Sequence, residues 1–170
     1  MHVRPSCAAS RSSTRPVPDL EVRAAGAHDR PEVELLVDDA LGRLRSLRGG
    51  DLLLEAIGIE QDTTPEALAI ALCEGSLPST TTYVATLNGA VVGLAVAVRT
   101  DEGVDLVGVH TARSLRRRRI GSELLGAVRS AAADRGVRFE ALALPGDQTV
   151  KSLLEAAGFR ARLLRMSDGR

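Results

Sequence analysis

The residues best suited to chemistry lie in one run, Val109-His-Thr-Ala-Arg-Ser-Leu-Arg-Arg-Arg-Arg-Ile-Gly-Ser122. A β-branched strand ends, a short basic loop follows, and a helical pattern begins. The first N–H groups of a helix have no partner inside it and carry partial positive charge. Such a turn holds anions, phosphate above all. Arg113, Arg116, Arg117, Arg118 and Arg119 add five guanidinium groups beside it. Backbone donors and fixed cations together suit a pyrophosphate better than a single carboxylate. Two plainer readings share the run: a solvated basic loop beside an ordinary helix, and a surface patch against nucleic acid. His110, at the strand end, titrates in the range that lets a side chain move protons near neutrality. The three histidines (His2, His28 and His110) lack metal-ligand spacing, and no metal is expected. Cys7 and Cys73 make neither a CxxC pair nor a disulfide framework.

The elements that must position this run follow from periodicity. Residues 1–18, MHVRPSCAASRSSTRPVP, carry no acid and no apolar period, and read as a disordered tail. A transit peptide shares that composition, whereas a secretory signal needs an apolar stretch of roughly 7–15 residues. Residues 19–170 read as a single domain. Leu20–Ala24 forms a short first strand. Asp29 is placed to cap a helix with Pro31 in its first turn. Val33, Leu36, Val37, Ala40, Leu41, Leu44 and Leu47 then mark one stripe of that helix, which Gly49-Gly50 stops. Leu52–Ile57 is apolar, and its state is open. Thr63-x-x-Glu66 has the form of a capping box, opening a helix that ends near Gly75.

Three strands follow as an antiparallel meander. They are Thr82–Thr86, Ala90–Arg99 and Val104–Thr111, with turns at Asn88-Gly89 and Asp101-Glu102-Gly103. Ile120, Leu124, Leu125, Val128, Ala131 and Ala132 mark another helix, stopped by Gly136. Val137–Leu144 reads as a strand, Thr149–Ala157 as a helix with Gly158 past its end, and Phe159–Met166 as a last strand. The order is β-α-α-β-β-β-α-β-α-β. The fold class is α/β of the α+β type, a mixed and mostly antiparallel sheet of about six strands with helices on both faces.

At this point the chain resembles the GNAT superfamily of N-acetyltransferases. That family's cofactor loop reads Gln/Arg-x-x-Gly-x-Gly/Ala between a strand and a helix, and the matching residues are Arg116-Arg-Arg-Arg119-Ile-Gly121. Val109-x-Thr111 is similar to the family's strand end, and Leu153-Leu-Glu-Ala-Ala-Gly-Phe159 to its last-helix ending. The likeness runs in order over about residues 20–166. It implies acetyl-CoA as co-substrate, with the amides of Arg117, Arg118, Arg119, Ile120, Gly121 and Ser122 cradling the pyrophosphate and Arg116 opening the loop. Val109 and Thr111 would bond the pantetheine arm like another strand, with His110 between them. An N–H just after the strand would polarise the thioester carbonyl. An amine would attack directly, without a covalent enzyme intermediate. Asp105 stands eleven residues before Arg116, where some members place a carboxylate base; Glu102 and His110 are its rivals. Asp147 stands where the family often has Asn, to touch the cofactor or cap the last helix. Two positions depart from the pattern. Arg119 replaces the first Gly, and Leu154 stands where many members have a Tyr acid.

Composition narrows the partners. Lys+Arg and Asp+Glu are 22 each, Trp is absent, and there are one Tyr and two Phe among 170 residues. That balance gives no electrostatic footprint for nucleic acid and no base-stacking platform. No apolar run reaches the roughly 20 residues of a membrane span. Lys151 is the lone lysine, a bias typical of a GC-rich bacterial genome. A reducing cytoplasm is the expected location. Residues 29–74 hold eleven acids against four arginines. In the family this region walls the acceptor site, and an acidic wall would suit a cationic amine. A solvated helix face explains the acids equally. The first function expected is thus acetyl transfer to a primary amine, on a small molecule or a protein. The second is a GNAT-fold acyl-CoA-binding or regulatory module without catalysis. The third is a nucleic-acid-binding domain using Arg116–Arg119. An edge strand of such a sheet can pair across a homodimer.

Overall fold

A computed structural model describes residues 19–162. The expected tail, residues 1–18, lies outside the described residues. The order of elements is β1 (Leu20–Ala24), a single 3₁₀ turn (Ala27–Asp29), α1 (Arg30–Ser46), α2 (Gly50–Ala56), α3 (Pro65–Glu74), β2 (Thr80–Leu87), β3 (Ala90–Arg99), β4 (Gly103–Thr111), a second 3₁₀ turn (Arg113–Leu115), α4 (Ile120–Ala133), β5 (Arg138–Ala141) and α5 (Gln148–Ala156). The sheet order is β1-β2-β3-β4-β5. The first four strands are antiparallel, and β5 joins β4 in parallel through α4, as a βαβ unit requires.

β3 is the spine of the molecule. Its Val92–Ala97 stretch is buried on both faces, which is why it reads as a continuous apolar run rather than an alternating one. On one face Val84, Leu94, Val96 and Val107 pack against Val33, Val37, Leu41, Leu68 and Leu72 of α1 and α3. On the other, Ala95, Ala97, Val104 and Leu106 pack against Leu124, Leu125 and Val128 of α4 and Leu154 of α5.

Several sequence expectations need correction. Five strands are present among the described residues, not six. Phe159–Arg162 is not strand, and the rest of the expected last strand lies outside the described residues. Leu52–Ile57 is mostly the short helix α2: only Leu54 of its leucines is fully buried, a helical rather than a two-sided pattern. The cap of α3 is one residue later than expected, with Thr64 Oγ1 accepting from Ala67 N (3.2 Å) and Pro65 opening the helix. Asp29 precedes α1 without capping it. Its buried carboxylate instead accepts two bonds from Arg23 (2.7 Å each) and one from Gly26 N (2.8 Å). That fork ties β1 to the start of α1, and the guanidinium holds the Asp29 pKa below the usual carboxylate range.

Candidate active site

β4 and β5 pair only from Gly103–Arg138 to Leu106–Ala141, with a last bond from Leu142 N to Leu106 O (2.9 Å). Beyond Leu106 the two strands part. On its other side β4 stays paired with β3 up to Thr111, with a register shift that leaves Val107 as an extra residue. This bulge resets which groups face which neighbour. Ala112 N donates to Val92 O of β3 (2.9 Å), so by alternation the amides of Val109 and Thr111 point to the free edge. The donor expected just after the strand is thus committed to β3. Among the described residues the free donors lie one and three residues earlier.

At the end of this edge, residues 113–119 turn into α4. Arg117 and Arg119 both have φ of +65°, and Arg119 is the residue before the helix. That left-handed conformation is natural to glycine and strained for arginine, by roughly 1–2 kcal/mol. The place where the resemblance calls for Gly has therefore kept a glycine backbone under an arginine side chain. No side chain caps the first turn of α4, and the amides of Arg119, Ile120, Gly121 and Ser122 find no acceptor among the described residues. Glu123 N is the first to be bonded, to Arg119 O (3.0 Å). Arg117, Arg118 and Arg119 are exposed and form no ion pair among the described residues. Gly121 faces α5, where an added Cβ would lie 3.2 Å from Leu153 Cδ2. The strain has a testable consequence. Arg119→Gly should raise the free energy of urea unfolding by about 1 kcal/mol, whereas Arg119→Ala, which keeps the strain, should not.

The parted strands open into a cavity of about 130 Å³. Val109, His110, Thr111 and Arg116 border it, as do Arg43 of α1 and Asp147 at the start of α5. Asp147 caps α5, accepting from Val150 N (3.0 Å), and it also accepts from Arg43 across the cavity. His110 is buried, and its Nε2 lies 2.8 Å from Asp39 Oδ2 of α1. Asp39 also pairs with Arg113 (2.5 Å) and sits 3.8 Å from Arg116. The Arg113 guanidinium holds the Asp39 pKa below its ordinary value. Asp39 is thus an anion, Nε2–H is the donor, and Nδ1 is left with its lone pair. Burial pushes the His110 pKa down, and the Asp39 charge only partly offsets this.

Asp105 lies elsewhere. It is near the beginning of β4, beside Glu140 of β5, roughly 16 Å of strand from His110, and it does not border the cavity. Burial and then Glu140 raise its pKa. Glu102 pairs with Arg138 at the same distant end. Leu154, at the position of the family's usual Tyr, is buried in the core beneath α4. Sequence reasoning missed Asp39 and Arg43. They stand four apart, each next to a residue of the apolar stripe of α1, and that adjacency was the one available signal. Among the described residues no cluster of three His, Cys, Asp or Glu is arranged for a metal ion. No described helix is long and apolar enough to cross a membrane.

A free β4 edge leading to an uncapped, arginine-flanked helix start is the arrangement expected above for the resemblance. The model of the Acetyltransferase (GNAT) family matches residues 51–159, more than half of the chain. The chain belongs to this acetyltransferase family. Solved structures agree on the fold. A GCN5-related N-acetyltransferase from Ralstonia eutropha is 20% identical with a TM-score of 0.62, over 89% of this chain and 99% of that one. The aminoglycoside N-acetyltransferase AAC(6')-Iy, bound to a CoA bisubstrate analogue, is 19% identical with a TM-score of 0.57, over 89% and 99%. Diaminobutyrate acetyltransferase EctA from Paenibacillus lautus, bound to its substrate and coenzyme A, is 19% identical with a TM-score of 0.59, over 83% and 75%. A search of curated proteins finds no match.

Proposed function

We propose that this chain is an acetyl-CoA-dependent N-acyltransferase that moves the acyl group directly onto a primary amine. The arrangement that carries this reading is a free β4 edge that borders the cavity and runs on to the uncapped amides of Arg119–Ser122, with His110 of that edge held by Asp39. Acetyl-CoA supplies an activated carbonyl. The α4 amides and the exposed arginines bind the diphosphate, and the edge groups of Val109 and Thr111 align the pantetheine arm. One of those amides donates to the carbonyl oxygen as it gains charge. Nδ1 of His110 takes the proton that the amine sheds on attack, while Asp39 holds the ring and steadies the imidazolium. The same proton then serves the departing thiolate, so that amide and free thiol are the products. Leu154 has no hydroxyl for that last step, which makes His110 the acid as well as the base.

The experiment is twofold. Coenzyme A should raise the melting temperature, as any ligand of the native state does. Thiol release should then appear with acetyl-CoA and at least one primary amine. Coenzyme A binding without thiol release from any amine or peptide would favour a non-catalytic acyl-CoA module. Salt-sensitive retention on DNA without coenzyme A binding would favour the nucleic-acid reading.

A further inference from the structure

The acceptor side of the cavity differs from what the acids of residues 29–74 suggest. None of those eleven carboxylates borders it; nine are exposed or partly exposed around α1, α2 and α3, and Asp29 and Asp39 are committed to Arg23 and to His110 with Arg113. Apart from Arg43, what lines the cavity from that layer is aliphatic, Leu44, Leu53, Ile57 and Leu72 among them, facing Leu94 and Val107 of the sheet. Among the described residues the one carboxylate on its border, Asp147, is occupied by Arg43 and by the α5 amide. A second ammonium group entering here would lose its hydration and find no free anion among the described residues. The volume of about 130 Å³ is close to the roughly 150 Å³ of an apolar cavity that takes up benzene.

Building on the acyltransferase reading, we propose that the cavity receives an apolar group of about six carbons carried by the acceptor amine, and that it rejects acceptors bearing a second positive charge. The substrate class is a hydrophobic monoamine. This differs from the charged and polyhydroxylated acceptors named for the two ligand-bound structures above.

The test compares n-heptylamine with 1,6-diaminohexane, which differ by CH₃ against NH₃⁺ at the far end. With acetyl-CoA, kcat/KM should be about a hundredfold higher for heptylamine, the scale of leaving one charge unpaired. An equal or better rate for the diamine overturns the proposal. So does a preference for hexanoyl-CoA over acetyl-CoA with ethylamine, which gives the cavity to the acyl chain. A second measurement needs no catalysis. 1-Hexanol should raise the melting temperature of the wild type, and this shift should vanish in Ala40→Phe, since Ala40 of α1 also lines the cavity and the added ring fills it. No hexanol shift in the wild type overturns the proposal even if Ala40→Phe does not fold. If coenzyme A fails to bind while hexanol does, the acyltransferase reading falls and the apolar character of the cavity stands.

Discussion

Ser122→Glu should weaken coenzyme A binding by roughly a hundredfold while the melting temperature holds or rises. Ser122 is exposed and third in α4, with Arg119 as the residue before the helix. An acid at that position favours the helix, because it faces the positive end of the dipole, by about 0.3–1 kcal/mol. The same acid opposes a diphosphate held by the first amides of α4. One like-charge pair at about 5 Å, at an effective dielectric constant near 20, costs about 3 kcal/mol. Ser122→Lys should do the reverse on both counts, losing a little stability and binding coenzyme A more tightly. The opposition of signs is the informative part, since a residue with only a structural role would move stability and affinity together. Gly121 is a poorer place for the experiment, because a side chain there would meet Leu153 and disturb α5 as well. Isothermal calorimetry gives the affinities and a melting scan the stabilities. Unchanged affinity in both variants would remove the diphosphate from the start of α4.

The parts of this site that were legible in the sequence are those made by neighbours in the chain. Asn88-Gly89 announced its turn because both residues must adopt positive φ, and they do, at 51° and 85°. The run from Val109 to Ser122 was legible for the same reason: strand end, basic loop and helix start are consecutive. The errors have a common physical origin. The seven-residue α2 is too short for an apolar run to separate helix from strand. Thr63 and Thr64 both offer an oxygen, and only the backbone decides which one caps. Asp29 could cap α1 on local grounds but is claimed by Arg23, six residues earlier and on another element. Asp39 and Arg43 matter through partners 71 and 104 residues away, His110 and Asp147, and nothing local names those partners. The bulge at Val107, which frees the amides of Val109 and Thr111, is a register between two strands and leaves no mark in either one. The eleven acids were counted correctly, yet a count carries no information about which face of a helix looks inward.

His110 should reveal itself in the pH dependence of catalysis. Primary alkylamines titrate near pH 10, so log kcat/KM rises with a slope of about one as more of the amine becomes neutral. A base that must also be neutral adds a second unit of slope below its own pKa. Burial lowers the His110 pKa, so the break from slope two to slope one should lie below the ordinary value of about 6.5. His110→Gln should lose the break and about a hundredfold or more in rate. Asp39→Asn removes the charge that partly offsets burial, so its break should move to still lower pH. Its rate should also fall, since an amide no longer fixes the tautomer with the lone pair on Nδ1. Asp105→Asn should leave both the slope and the break where they are, because that carboxylate stands at the far end of β4. Stability provides a check free of catalysis. The unfolded imidazole takes up its proton at about pH 6.5, and the folded one resists to lower pH, so in that window the unfolded chain binds more protons. The melting temperature should therefore fall as the pH drops through the window, and less so in His110→Gln. A single slope in the wild type, identical in His110→Gln, would take the proton transfer away from this histidine and leave it a buried link between β4 and α1.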